Sequence, residues 1–113
     1  MKDMNKSFLT HMLNSIKDPI LFADTNHIVQ YMNKAAIEHF EDGERLLQSN
    51  LLKCHNEESQ KMMIDILAEM ETGLEEKLIT DNEKYRIFMR SVRDENENLL
   101  GYFERYEPPQ KKL

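Results

Sequence analysis

Apolar positions recur at helical spacing in the first part of the chain, where Met4, Phe8, Leu9, Met12, Leu13 and Ile16 form one stripe. The spacing predicts an amphipathic helix up to about Lys17, and the stripe calls for a partner surface. Pro19 breaks the helical pattern, and the short apolar run Ile20 to Ala23 predicts a strand ended by the turn formers Asp24, Thr25, Asn26 and His27. A second strand follows over Ile28 to Met32, rich in β-branched and aromatic residues. Asn33 then stands where its side chain can accept backbone N–H bonds at the head of a helix containing Ala35, Ala36, Ile37 and Phe40.

From Glu41 to Leu52 polar turn residues alternate with Leu pairs and no period is sustained, which predicts one-turn helices and loop wrapping one side of a sheet. Asn56 is placed to cap a longer helix that begins with Glu57 and Glu58, buries Met62, Met63, Ile66, Leu67 and Met70, and stops at Gly73. Strand patterns return after Gly73. Leu74 to Thr80 predicts a half-exposed strand. In the segment 85–93, Tyr85, Ile87 and Met89 share one face, and Arg86, Phe88, Arg90 and Val92 the other. The turn cluster Asp94 to Asn98 and the run Leu99 to Tyr106 complete an antiparallel hairpin that Pro108 and Pro109 end.

Composition narrows the class. A chain of 113 residues with 40% apolar content supports one domain and one core. The net charge of −6 argues against direct nucleic-acid binding, which needs a surplus of Lys and Arg on one face. No apolar run approaches the roughly 20 residues that span a bilayer, and the N-terminus lacks a signal peptide's apolar centre. A cytoplasmic location without membrane contact is the expectation. The single cysteine fits a reducing compartment and leaves stability to packing, a ligand or a partner chain.

The order of helix, two strands, short helices, long helix and three strands resembles the PAS domain family. Four phrases carry the resemblance: Leu13 to Ile20 is similar to the family's opening, and Tyr31-Met32-Asn33-Lys34-Ala35-Ala36 to its strand-to-helix asparagine motif. Leu52 to Ser59 sits where the long helix usually begins, and Val92 to Tyr102 resembles the final hairpin. The likeness covers roughly residues 8–107. It implies an α+β fold, with a five-stranded antiparallel sheet carrying helices on one face. Three segments follow: a dimerisation helix over 1–17, the PAS domain over 18–107 and a polar tail over 108–113. It also implies a cavity that holds haem, flavin or a small metabolite in many relatives, whereas other relatives are bare dimerisation modules.

The cavity residues expected from this likeness are Phe22, Tyr31, His55, Met62, Met63, Ile66, Ile87, Met89 and Phe103. For haem, His55 is the candidate iron ligand, with Arg86 or Arg90 pairing with a propionate. Against this, a histidine beside a helix end commonly hydrogen-bonds that end, and in haem-binding relatives the ligand histidine usually lies further inside the helix. Here the helix interior offers Met62, Met63 and Met70. Cys54 beside His55 invites a flavin-photoreceptor or nucleophile reading. The light-sensing branch's Asn-Cys-Arg-Phe-Leu-Gln motif is missing around it, so flavin has less support than haem and a structural thiol fits better.

His11, His27, His39 and His55 show no zinc-ligand spacing, and the chain has no phosphate loop, nucleophile elbow or spacing-enforced carboxylate pair. Enzymatic activity is not expected. Two readings remain. In one, a small ligand in the cavity biases a homodimer formed through Met4, Phe8, Leu9, Met12, Leu13 and Ile16, or biases contact with a separate effector protein. In the other, Phe22, Met62, Ile66 and Phe103 fill the core, and the N-terminal helix alone makes an interaction module.

Overall fold

The computed structural model describes residues 6–110. Helix α1 spans Lys6–Asn14, strands β1 and β2 span Ile20–Asp24 and Val29–Met32, and helix α2 spans Lys34–His39. Two one-turn 3₁₀ helices, Gly43–Leu46 and Leu51–Cys54, lead into helix α3 at Glu57–Glu71. Strands β3, β4 and β5 follow at Glu76–Asp81, Arg86–Arg93 and Leu99–Glu107. Helix α1 stops short of the expected Lys17 because Pro19 disfavours helical geometry at Asp18 and the chain must already straighten into β1. Met4 lies outside the described residues.

All neighbouring strands are antiparallel, and the order across the sheet is β2-β1-β5-β4-β3, with the helices on one face as expected. Alternation gives each strand two fates. Leu21, Ala23, Met32, Met89 and Tyr102 point to the helical face and are buried against Met63, Ile66, Leu67 and Met70 of α3. The outer face takes the opposite parity. Phe22 pairs with Tyr31 and Phe103, Arg90 with Phe103, and Phe88 with Arg105.

Caps set the helix boundaries. The Asn33 side chain accepts from Ala36 N–H at 2.9 Å, and Asn56 accepts from Ser59 N–H at 2.8 Å. At the end of α3, Leu74 N–H donates to Glu69 C=O at 3.0 Å and Gly73 N–H to Met70 C=O at 3.1 Å, the paired pattern of a Schellman motif. Gly73 has φ +121°, outside the range most side chains accept. Arg93 reaches across from β4 to donate to Met70 C=O, placing a cation at the negative end of the helix dipole.

Helix α1 is the exception to core packing. None of its residues is buried, and Leu9 and Met12 are 40% and 48% exposed. Its C-terminal end is tied down by polar bonds: Asn33 Nδ2 donates to Leu13 C=O at 3.1 Å, and Lys34 N–H donates to Asn14 Oδ1 at 2.8 Å.

Candidate functional site

Between the start of α3 and the helical face of β3, β4 and β5 lies a cavity of about 270 Å³. Helix α3 supplies Ser59, Met62 and Met63, and the end of α2 supplies His39 and Phe40. The sheet supplies Ile79, Thr80, Ile87, Glu104 and Tyr106, with Tyr85 just before β4. His55 closes the side where the chain enters α3. The rings form a fixed wall. His39 lies 5.2 Å from Tyr106 and 6.0 Å from Tyr85 between ring centroids, Tyr85 and Tyr106 are 5.2 Å apart, and all three pairs meet edge to face.

Glu104 is the unusual member. It sits on the central strand β5 opposite Leu21 of β1 and Met89 of β4, and it is only 6% exposed. Among the described residues its carboxyl has no hydrogen bond or ion pair. A buried carboxylate without a partner is costly, and burial pushes the group up to about 7. Burial also raises the Tyr106 hydroxyl, with further contributions from the Glu104 charge and Tyr85.

A pH dependence of stability follows. Glu104 ionises near 4.5 in the unfolded chain and near 7 in the folded one, so between these values the folded state holds more protons. Stability is therefore fully present below pH 4.5, falls as pH rises toward 7, and levels off above, a total of about 3 kcal/mol. Urea unfolding of Glu104→Gln is expected to show this component removed, making the variant more stable than wild type at pH 8 but not at pH 4. Equal stabilities at pH 8 would contradict the buried, unpartnered carboxyl.

The sequence-predicted cavity residues divide by strand parity. The structure brings His55, Met62, Met63 and Ile87 to the cavity, and places Ile66 and Met89 in the adjoining core. Met62 is 37% exposed, at the rim. Phe22, Tyr31 and Phe103 lie on the outer sheet face, because each is one residue out of phase with the buried positions of its strand. The Tyr31 hydroxyl is buried there without a hydrogen-bond partner among the described residues.

Arg86 and Arg90 are also on the outer face and already engaged. Arg86 pairs with Glu107 at 2.6 Å and Arg90 with Glu76 at 3.5 Å. Arg105 joins Glu76 and Glu107 and lies 4.2 Å over the Phe88 ring.

The residues do not fit haem. His55 Nδ1 donates to Leu51 C=O at 3.0 Å, which leaves Nε2 as the ring nitrogen that could serve an iron. Neither expected propionate partner faces the cavity, however, and its volume falls below the roughly 300–1,000 Å³ of sites for drug-sized ligands. Among the described residues no Lys or Arg lines it.

Cys54 is largely exposed, and the partial desolvation of its thiol together with the Asp42 carboxylate raises its pKa, the reverse of an activated nucleophile. Among the described residues no group of three His, Cys, Asp or Glu side chains is placed to hold a metal ion, and no helix is long and apolar enough to cross a membrane.

Sequence reasoning passed over Glu104, His39, Tyr85 and Tyr106. It also put His27 in a turn, where it does lie, with φ 63°. The side chain nonetheless turns inward, and Nδ1 hydrogen-bonds the buried Tyr102 hydroxyl at 2.8 Å. Burial lowers the pKa of this imidazole.

Comparison with known proteins agrees with the architecture. A family model described as PAS domain matches residues 9–106. A crystal structure from Streptococcus mutans, described as a C-terminal domain, superposes with a TM-score of 0.79 at 17% identity, covering 93% of this chain and 85% of that one. The PAS domain of a protein from Colwellia psychrerythraea gives 0.69 at 9% identity, over 90% and 94% of the two chains. A sensory box sensor histidine kinase from Vibrio cholerae gives 0.64 at 10% identity, over 95% and 93%. No curated protein matches the sequence.

Proposed function

Because the chain belongs to the PAS domain family, members of which are typically sensory or signalling modules, we propose that it is a small-molecule sensor whose ligand enters the cavity between α3 and β3–β5. The observation that carries this reading is Glu104. A filled structural core gains nothing from an unpaired carboxyl at its centre, whereas a binding site gains a recognition group. A small polar ligand suits about 270 Å³ better than a macrocycle does. Occupancy would press on Met62 and Met63 of α3 and on His39 of α2, and α2 is tied to α1 through its cap Asn33.

Native mass spectrometry of the chain prepared from cell extract tests this. The expected result is a small-molecule adduct that Ser59→Trp, which fills the cavity, removes. A chain that carries no adduct, and whose melting temperature no extract fraction raises, would sink the proposal.

Output is proposed to pass through the exposed face of α1, seated against the same helix of a second copy or against a separate effector. The apolar stripe supports this: Phe8 is 51% exposed and Met12 48%, with Leu9 and Leu13 on the same helix, and Ile16, just past the helix end, is 39% exposed. The same stripe is what favours the second reading, an interaction module that senses nothing. Phe8→Glu combined with Leu9→Glu is expected to weaken self-association at least tenfold in sedimentation equilibrium while the sheet stays folded. A dimer of unchanged affinity would refute the α1 interface.

A further inference from the structure

We infer that Glu104, together with the aromatic wall of Tyr85, Tyr106 and His39, forms a binding site for the ammonium group of a small organic cation. This rests on the reading of the cavity as the sensory pocket and names the ligand class that it would take.

Three observations converge on a cation. The Glu104 carboxyl is 6% exposed, lines the cavity and has no partner among the described residues, which leaves it free to meet a complementary group from outside. Among the described residues no Lys or Arg lines the cavity, and the nearby outer-face cations Arg86, Arg90 and Arg105 are already paired with Glu76 and Glu107. The ring wall has the chemistry that complements an ammonium ion beside a carboxylate, since π systems attract cations that have shed water. An anionic ligand would meet the Glu104 charge instead. A divalent metal would find one carboxylate in a place where no group of three ligand-type side chains occurs among the described residues. The net charge of −6 adds a long-range bias in the same direction.

Recognition should be linked to protons. Besides Glu104, the titratable groups around the cavity are His39 from α2, His55 ahead of α3, Tyr85 just before β4 and Tyr106 of β5, and Tyr102, two residues along β5, also feels the Glu104 charge. Burial pushes the free Glu104 up to about 7, and the bound cation requires its carboxylate form. Affinity should then be about tenfold lower at pH 6 than at pH 8. His39 and His55 also line the cavity, so a charge-removing variant at Glu104 is needed to apportion the effect.

Three probes of one size separate charge from shape: butylammonium, butan-1-ol and butyrate, titrated into the full chain and followed by amide NMR at pH 8 and pH 6. The expected result is saturable shifts at Tyr85, Glu104 and Tyr106 with butylammonium, about tenfold weaker at pH 6, and binding at least tenfold weaker for the other two. Glu104→Gln should abolish the preference. Equal binding of butan-1-ol would leave the sensory pocket standing but overturn the cation inference, as would preference for butyrate. Failure of all three to bind overturns the inference too, and the adduct measurement then decides the sensor reading separately. Should Glu104→Gln not fold, the wild-type pH series decides: affinity that does not rise between pH 6 and pH 8 overturns the proposal.

Discussion

Replacing Gly101 by alanine is expected to lower the melting temperature by roughly 15 °C or more, from a loss of about 4 kcal/mol. Gly101 lies in β5, between Asp24 of β1 and Val92 of β4, so it is flanked on both sides by paired backbone. A Cβ built on it would stand 2.1 Å from the Ala23 carbonyl oxygen and 2.8 Å from the Asp24 Cα. Both are backbone atoms of β1 and cannot turn aside as a side chain does. The φ of +153° adds a second penalty, since L side chains rarely adopt it. Relief requires β1 to move away from β5, which opens the middle of the sheet. Thermal unfolding followed by circular dichroism measures the effect. A variant melting within about 2 °C of wild type would mean that β1 and β5 are not in this register.

Asn33→Ala is the other substitution with a large expected effect, about 3–5 kcal/mol. The residue is fully buried, and its side chain uses both ends. Oδ1 accepts from Ala36 N–H and from Ile20 N–H, each at 2.9 Å, serving as cap of α2 and as anchor for the start of β1. Nδ2 donates to Leu13 C=O and Asp18 C=O, each at 3.1 Å. Alanine leaves the N–H groups of Ala36 and Ile20 without their acceptor and the carbonyls of Leu13, Ile16 and Asp18 without their donor, around a side-chain site that is itself fully buried. Asn33→Asp separates the roles, because it keeps the acceptor and loses the donor. The measurement is urea unfolding of both variants. A loss below about 1 kcal/mol for Asn33→Ala would show that the amide is a cap and no more.

Much of this architecture is legible in the sequence because its signals are local. Asn33, Asn56 and Gly73 mark helix boundaries by their own chemistry, and the alternation over 85–93 separates Ile87 and Met89 from Arg86 and Arg90 without any tertiary information. What alternation cannot say is which of two faces the helices will cover. In β1 both parities are apolar, and the large ring of Phe22 looks more like core than Ala23 does. The helices pack on the Ala23 side, and Phe22, Tyr31 and Phe103 therefore gather on the other.

Glu104 was hidden for a related reason. An acidic residue between Phe103 and Arg105 reads as a solvated strand position, yet it shares parity with Tyr102 and Tyr106. Its register with Met89, fixed by the hairpin turn at 94–98, is the signal that could have found it. The second function of Asn33 left no local trace at all, because Leu13 and Ile20 lie 20 and 13 residues away.

The attachment of α1 gives this chain two stabilities rather than one. A helix with no buried residue, held at its end by a few polar bonds, can detach without disturbing the sheet. Its amides should therefore exchange with solvent deuterium through a small local opening, while those of β1 and β5 wait for global unfolding. The local opening is small enough to compete with the free energy of binding one ligand or one partner, and so the helix can be released or recruited while the sheet remains intact.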